Sequence, residues 1–176
     1  MRRPDSTDAP DIVADPARLH EIAALGLATP EVDAILKEIA EEAAAQLGLP
    51  ISLVSVVLDE AQFFAASHGL GGWLAQTRGT PVEWSFCANA VRSGEAFVVE
   101  DALTHPIVRD NPLVTEEGIR CYAGIPLVSS RGFALGTLCV LGTEQRSFSS
   151  EDMEKLRELA ERAVERIESR RRPTPG

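Results

Sequence analysis

The chain has 176 residues, 44% of them hydrophobic and 25% charged, with a formal net charge of -10. That is enough chain for one domain with a substantial core, and the acidic balance works against a nucleic-acid partner, whose phosphates such a surface repels. No apolar run approaches the ~18 residues of a membrane span and the N-terminus has no apolar signal core, so the expectation is a cytoplasmic protein with neither membrane nor nucleic acid as partner.

Residues 1–14 are rich in Pro, Asp, Ser and Thr without periodicity and read as a disordered tail. Asp15 then caps, and Pro16 opens, a short helix. Thr29 and Pro30 open a second helix, with Val32, Ile35, Leu36, Ile39, Ala43 and Leu47 at helical spacing and Gly48 as its stop. The β-branched run "ISLVSVVLD" reads as a strand, and "AQFFAASHG" as its partner across a turn at Asp59–Glu60. "GLGGWLAQTRGTP" is loop or broken helix; it lacks the full spacing of a phosphate-binding loop and reads as a flexible connection.

Trp84 to Arg92 is helical, with Gly94 as a stop, and "AFVVED" is a short strand. Ala102 to Gly118 is a long connection with two prolines and room for one helical turn; loops of this length inside a domain are often functional. "IRCYAGIPLVSS" and "GFALGTLCVLGT" form a hairpin around Arg131–Gly132. Ser149 caps the last helix, with Asp152 in place of the Glu of a capping box. Residues 169–176, with Arg170 to Arg172, are a basic flexible tail. The element order predicts an α+β domain with an antiparallel sheet, covered on both faces.

Along the last helix Met153, Leu156, Ala160, Ala163 and Ile167 follow one another at alternating three- and four-residue steps. Two readings stand: a seam between two subunits, or a stripe packed on the chain's own sheet, widened by Leu159 and Val164. With the Ile35/Ile39 helix it would form a helical bundle in a homodimer.

Cys87, Cys121 and Cys139 are odd in number and widely spaced, which argues against structural disulfides in a reducing compartment. A cysteine nucleophile would need a base and an orienting group nearby in space; the candidates are Cys87 or Cys121 with His105, and Asp101 beside it. No Cys/His pair has the short gap of a zinc site, so no metal is expected. His20 and His68 are expected to face solvent. The remaining reading is a small-molecule pocket, apolar with a few aimed polar groups. Trp84, Phe86, Val99, Tyr122 and Leu138 would wall it, with Cys87, Cys121 and Cys139 beside them. Asp101, Arg109, Asp110, Thr137 and the Tyr122 hydroxyl would aim hydrogen bonds, and Ala102 to Gly118 would be the lid.

"SFCANAVRSGEAFVVEDALTHPIVRDNPLV", "IRCYAGIPLVSSRGFALGTLCVLG" and "RSFSSEDMEKLRELAERAVE" together resemble a GAF domain, most specifically in "YAGIPL" and "LGTLCVL". The resemblance covers Thr29 to Glu168, and with the preceding helix the domain is expected over residues 15–168, with its core at 29–168. It implies a central antiparallel sheet with helices from both chain ends on one face, and a loop-covered pocket on the other. It also implies a sensor that signals through a homodimer or an output protein such as a kinase or transcription regulator. Family members bind cyclic nucleotides, bilins, haem, small anions or amino-acid-like metabolites, so ligand and cofactor stay open. The N-K-x-D motif of cyclic-nucleotide binders is absent. The cysteine of bilin binders is usually followed by His, whereas Ala88 follows Cys87 and Tyr122 follows Cys121. Free-methionine sulfoxide reductases are a catalytic branch with three cysteines, which keeps a redox enzyme or thiol sensor as the alternative, and a dimerisation module without ligand as a second one. Cys121 stands where an aromatic is common.

Overall fold

The computed structural model describes residues 12–27, 34–70 and 79–169. The tail over 1–11, the Thr29–Pro30 helix start with Val32, most of the glycine-rich connection (71–78) and the basic tail from Arg170 lie outside the described residues.

Helix α1, Pro16–Ala24, begins where the sequence places it: the Asp15 side chain accepts a hydrogen bond from the Ala17 amide and Pro16 supplies the pre-set φ of the first turn. Helix α2, Ala34–Leu47, buries Leu36, Ile39, Ala40, Ala43 and Leu47. Ile35, expected in that stripe, faces solvent at 44% exposure, because the buried residues define a narrower face than the apolar residues do.

Strands β1 (Ile51–Val57), β2 (Ala61–His68), β3 (Gly79–Pro81), β4 (Phe97–Val99), β5 (Cys121–Val128) and β6 (Ala134–Gly142) form one sheet. Its order is β3-β2-β1-β6-β5-β4, antiparallel throughout. The first and last long strands therefore lie side by side in the middle, with Leu53 opposite Cys139 and Ser55 opposite Thr137. β3 was not expected; its three residues, Gly-Thr-Pro, carry no strand signal and pair only at the sheet edge. Between β3 and β4 lie a 3-10 turn at Val82–Trp84 and helix α3, Cys87–Ser93. α3 ends on Gly94 in the left-handed conformation, φ 71°.

Every residue of β6 is buried, because the sheet is covered on both faces. Val54, Val56, Ala123, Ile125, Leu127, Leu138 and Val140 pack against α1, α2 and helix α5, Ser150–Glu168. Leu53, Val57, Phe64, Tyr122, Cys139 and Leu141 face the other way, toward α3 and helix α4, Pro112–Thr115.

The Ser149 hydroxyl accepts from the Asp152 amide, and the Asp152 carboxylate from the Ser149 amide, each at 3.0 Å, so α5 starts on a capping box. The Ser149 amide is also the main reason the Asp152 carboxyl titrates below its ordinary range. Leu156, Leu159, Ala160, Ala163 and Ile167 are buried with Leu36, Ile39 and Ile125. The stripe read as a possible subunit seam is thus used within the chain, with Met153 at its partly buried end. Arg162 reaches Glu42 on α2 at 2.8 Å.

Candidate functional site

The second face of the sheet carries a cavity that is open at one rim. Its roof is the connection after β4. Asn111 caps α4 with its side-chain oxygen, accepting from the Leu113 amide at 2.9 Å, while its side-chain nitrogen donates to the Trp84 carbonyl at 3.1 Å. One residue therefore starts the helical turn and ties it to the segment ahead of α3. Leu113 and Val114 point inward from that turn and are buried. The Arg120 guanidinium, donating to the Val114 carbonyl at 2.9 Å, closes the loop back onto β5.

The cavity measures about 340 Å³ and is lined by Ile51, Leu53, Phe64, Phe86, Cys87, Leu113, Ile119, Tyr122 and Leu141, with Leu70, Gln62, Glu117 and Thr143 completing it. That volume lies at the small end of ligand pockets, and the apolar lining is what such pockets have. Glu117 and Thr143 are exposed, so the polar groups mark a rim. Buried Gln62 is largely committed: its oxygen accepts from the hydroxyls of Ser55 (3.1 Å) and Ser85 (2.6 Å), and its nitrogen donates to Thr80 at 2.8 Å. No lysine or arginine lines the cavity among the described residues. A larger groove, about 890 Å³, runs along Ile125, Pro126, Val128, Ala160 and Val164 on the helix side, but it is open to solvent and encloses nothing.

Cys87, the first residue of α3, forms part of the cavity wall and anchors a buried polar cluster. The Thr137 hydroxyl donates to its sulfur at 3.0 Å and the Tyr122 hydroxyl at 3.2 Å; the Cys139 sulfur stands 3.9 Å away. Burial alone raises a thiol pKa, yet the hydrogen bonds from Cys139, Thr137, Tyr122 and Ser55 outweigh it and bring Cys87 from 9.0 to about 6. Burial, and then the neighbouring Cys87, hold Cys139 and Tyr122 well above their ordinary values. The cluster thus favours one thiolate, at Cys87, and keeps its neighbours protonated.

Of the residues expected to form a site, Phe86, Cys87 and Tyr122 line the cavity, and Thr137 and Cys139 stand directly behind Cys87. Val99 and Trp84 belong to the surrounding packing. Leu138 does not: it faces the helices. Cys121 also points to that side, its sulfur near Leu49, and burial raises its pKa. Arg109 and Asp110 form an exposed pair at 3.9 Å on the loop. Asp101 turns back on its own loop, accepting from the Leu103 amide, and His105 packs edge-on to Phe97 at 5.6 Å. Asp101 and His105 instead border a shallow surface groove, and the described hydrogen bonds of Cys87 go to Tyr122, Thr137 and Cys139 rather than to His105. His20 and His68 are exposed.

The sequence reading missed Ile51, Leu53, Gln62, Phe64, Leu113, Ile119 and Leu141. Alternation along β1 and β2 groups Ile51 with Leu53 and Gln62 with Phe64 on one side each. Which side carried the cavity depended on the non-local pairing of β1 with β6.

A family model described as GAF domain matches residues 31–167. A cyclic di-GMP phosphodiesterase of Pseudomonas aeruginosa is 38% identical over 149 residues, which cover 84% of this chain but 24% of that protein, so the chain spans about a quarter of the relative's length. Among solved structures, the GAF domain of a phosphoenolpyruvate-protein phosphotransferase from Coxiella burnetii superposes with a TM-score of 0.66 at 20% identity, covering 90% of this chain and 94% of that one. A free methionine-R-sulfoxide reductase from Neisseria meningitidis, solved with its substrate, gives 0.64 at 22% identity over 84% and 86%. At such identities the structures speak for the fold alone.

Proposed function

The chain belongs to the GAF domain family, and from that membership we propose that it is a sensory domain whose ligand is a small, largely apolar molecule, neutral or cationic. The observation that carries this reading is the partly open cavity of about 340 Å³ between sheet and roof, apolar within and with Glu117 at its exposed rim. A phosphate-bearing ligand would meet Glu117 and a Cys87 inclined to ionise, with no basic lining residue to offset its charge. For this reason the cyclic dinucleotide named for the Pseudomonas relative is not carried over as the ligand of this chain.

The domain would report occupancy through α2 and α5, which cover the opposite face of the same sheet. The receiver is a second copy or an output protein such as a kinase or transcription regulator, and the setting is the cytoplasm. A ligand drives such a response only if it binds the two arrangements of those helices unequally. No helix among the described residues is long and apolar enough to cross a membrane.

The test is native mass spectrometry of the purified protein, followed by a thermal-shift screen of apolar amines and neutral metabolites against phosphorylated ones. A binder held at a hundred times its Kd stabilises by about 2.7 kcal/mol, an easily read shift. Stabilisation by nucleotides and none by apolar amines or neutral compounds would contradict the ligand class; no bound mass and no shift with any compound would contradict the sensor reading itself.

A further inference from the structure

We propose that Cys87 and Cys139 are a peroxide-reactive dithiol that closes to a disulfide at the floor of the cavity. The proposal rests on the placement of the two sulfurs and stands whether or not the cavity binds a metabolite.

The sulfurs are 3.9 Å apart, in contact and unbonded. They lie on different elements, the first residue of α3 and the middle of β6. Closing to a sulfur–sulfur bond of about 2.05 Å asks for a shift of about 2 Å. β6 is held between β1 and β5, so the shift falls to the short helix α3. Access is unequal. Cys87 lines the cavity and Cys139 does not, so an oxidant small enough to enter meets Cys87 first.

The surroundings suit a nucleophile there. Two hydroxyls, Tyr122 and Thr137, aim hydrogen bonds at the Cys87 sulfur, and hydrogen bonding to the anion favours the thiolate. Cys139 keeps its proton. With a hydroperoxide, the Cys87 thiolate attacks the terminal peroxide oxygen. The O–O bond breaks, Cys87 becomes a sulfenic acid, and the departing alkoxide or hydroxide takes up a proton as alcohol or water. Cys139 then attacks the Cys87 sulfur. The S–S bond forms, the S–O bond breaks, and the hydroxide leaves as water with the proton Cys139 gives up. The sum is two thiols and one hydroperoxide going to a disulfide, water and an alcohol (water itself when the oxidant is hydrogen peroxide). Two electrons pass from sulfur to oxygen. Cys121 takes no part, since it faces the other side of the sheet beside Leu49.

The experiment treats the reduced full chain with stoichiometric hydrogen peroxide and follows intact mass and peptide maps. The expected result is a loss of two mass units (two hydrogens), a Cys87–Cys139 cross-linked peptide, one remaining free thiol and full reversal by dithiothreitol. Cys121→Ala should react at the wild-type rate. Cys139→Ser should stop at a dimedone-trappable adduct on Cys87. Cys87→Ser should slow thiol loss at least tenfold. Oxygen addition without cross-linking in the wild-type chain, a disulfide between two chains, a bond through Cys121, or no reaction with excess peroxide over hours each overturns the proposal. These wild-type readouts decide the matter even if a variant fails to fold.

Discussion

Gly124 lies under the ring of Tyr122: a Cβ on Gly124 would stand 2.2 Å from the Tyr122 hydroxyl oxygen and 2.7 Å from the ring carbon that carries it. The two residues are next neighbours on one face of β5, and the missing side chain lets the ring lie along the strand. That orientation delivers the hydroxyl to Cys87 at 3.2 Å. The Tyr-Ala-Gly run is thus a positioning device for the thiol cluster. Gly124→Ala must push the ring aside and is expected to cost about 1–3 kcal/mol of stability, the usual range for forced overpacking. It should also raise the Cys87 pKa. The check is the pH dependence of iodoacetamide alkylation, with Tyr122→Phe and Thr137→Val as comparisons that remove one donor each without a clash. All three should react more slowly than wild type at neutral pH; an unchanged rate in all three would separate the hydroxyls from the thiol.

Stability should depend on pH through the same cluster, with a definite sign. Cys87 loses its proton in the folded state near 6 and in the unfolded chain near 9. Between those values the unfolded state holds more protons, so stability rises with pH by up to about 1.4 kcal/mol per unit. The contribution is absent below 6 and complete above 9. Cys139 acts in reverse: its folded pKa is raised, so the unfolded chain ionises first and stability falls above 9. Urea midpoints from pH 5 to 10 should climb and then decline in the wild type. Cys87→Ser should lose the climb, and equal slopes in the two proteins would refute the assignment.

Local chemistry made much of the fold legible. Asp15, Ser149 with Asp152, Gly94 and the Arg131–Gly132 turn mark ends by mechanisms that need no distant partner. The site was harder to see, for a stated reason. β6 is apolar on both faces, so its sequence does not say which alternate set faces the cavity. Leu138 was assigned to the wrong side, while Thr137 and Cys139 next to it were assigned to the right one. Cys121 drew attention as a departure from a family pattern, which says nothing about the direction of its side chain. Gln62 sits in a strand with no local mark of its role, since only the folded chain brings Ser55, Thr80 and Ser85 to it.

Arg18 was invisible to pattern reading and is fully buried. Its guanidinium donates to the carbonyls of Val13 (2.8 Å), Val57 (2.5 Å) and Ala134 (3.0 Å), with Ile12 at 3.2 Å and Leu135 at 3.4 Å. It thereby joins the N-terminal segment to the end of β1 and the start of β6. Arg18→Met keeps much of the aliphatic volume but leaves several buried carbonyls without a donor. The expected loss is about 3 kcal/mol or more, read as a lower urea midpoint with m unchanged. A loss under about 0.5 kcal/mol, the range of ordinary surface substitutions, would mean water takes over the carbonyls.

Leu113 offers the cleanest separation of ligand binding from folding. It hangs from α4 into the cavity, and α4 is set by Asn111 rather than by Leu113 itself. Leu113→Trp adds a ring where the chain leaves about 340 Å³ empty, so the fold has room for it and the strain of overpacking a full core should be small. The melting temperature of the unliganded protein is expected to stay near wild type or to rise, since filled space gains contacts. Any compound that stabilises the wild type should lose that effect in the variant. Asn111→Ala acts on the roof instead, cutting the tie to the Trp84 carbonyl; it should speed ligand release more than ligand entry, because the loosened loop no longer holds the closed arrangement. A compound that stabilises wild type and Leu113→Trp equally must bind elsewhere, with the open groove beside α5 as the next place to look.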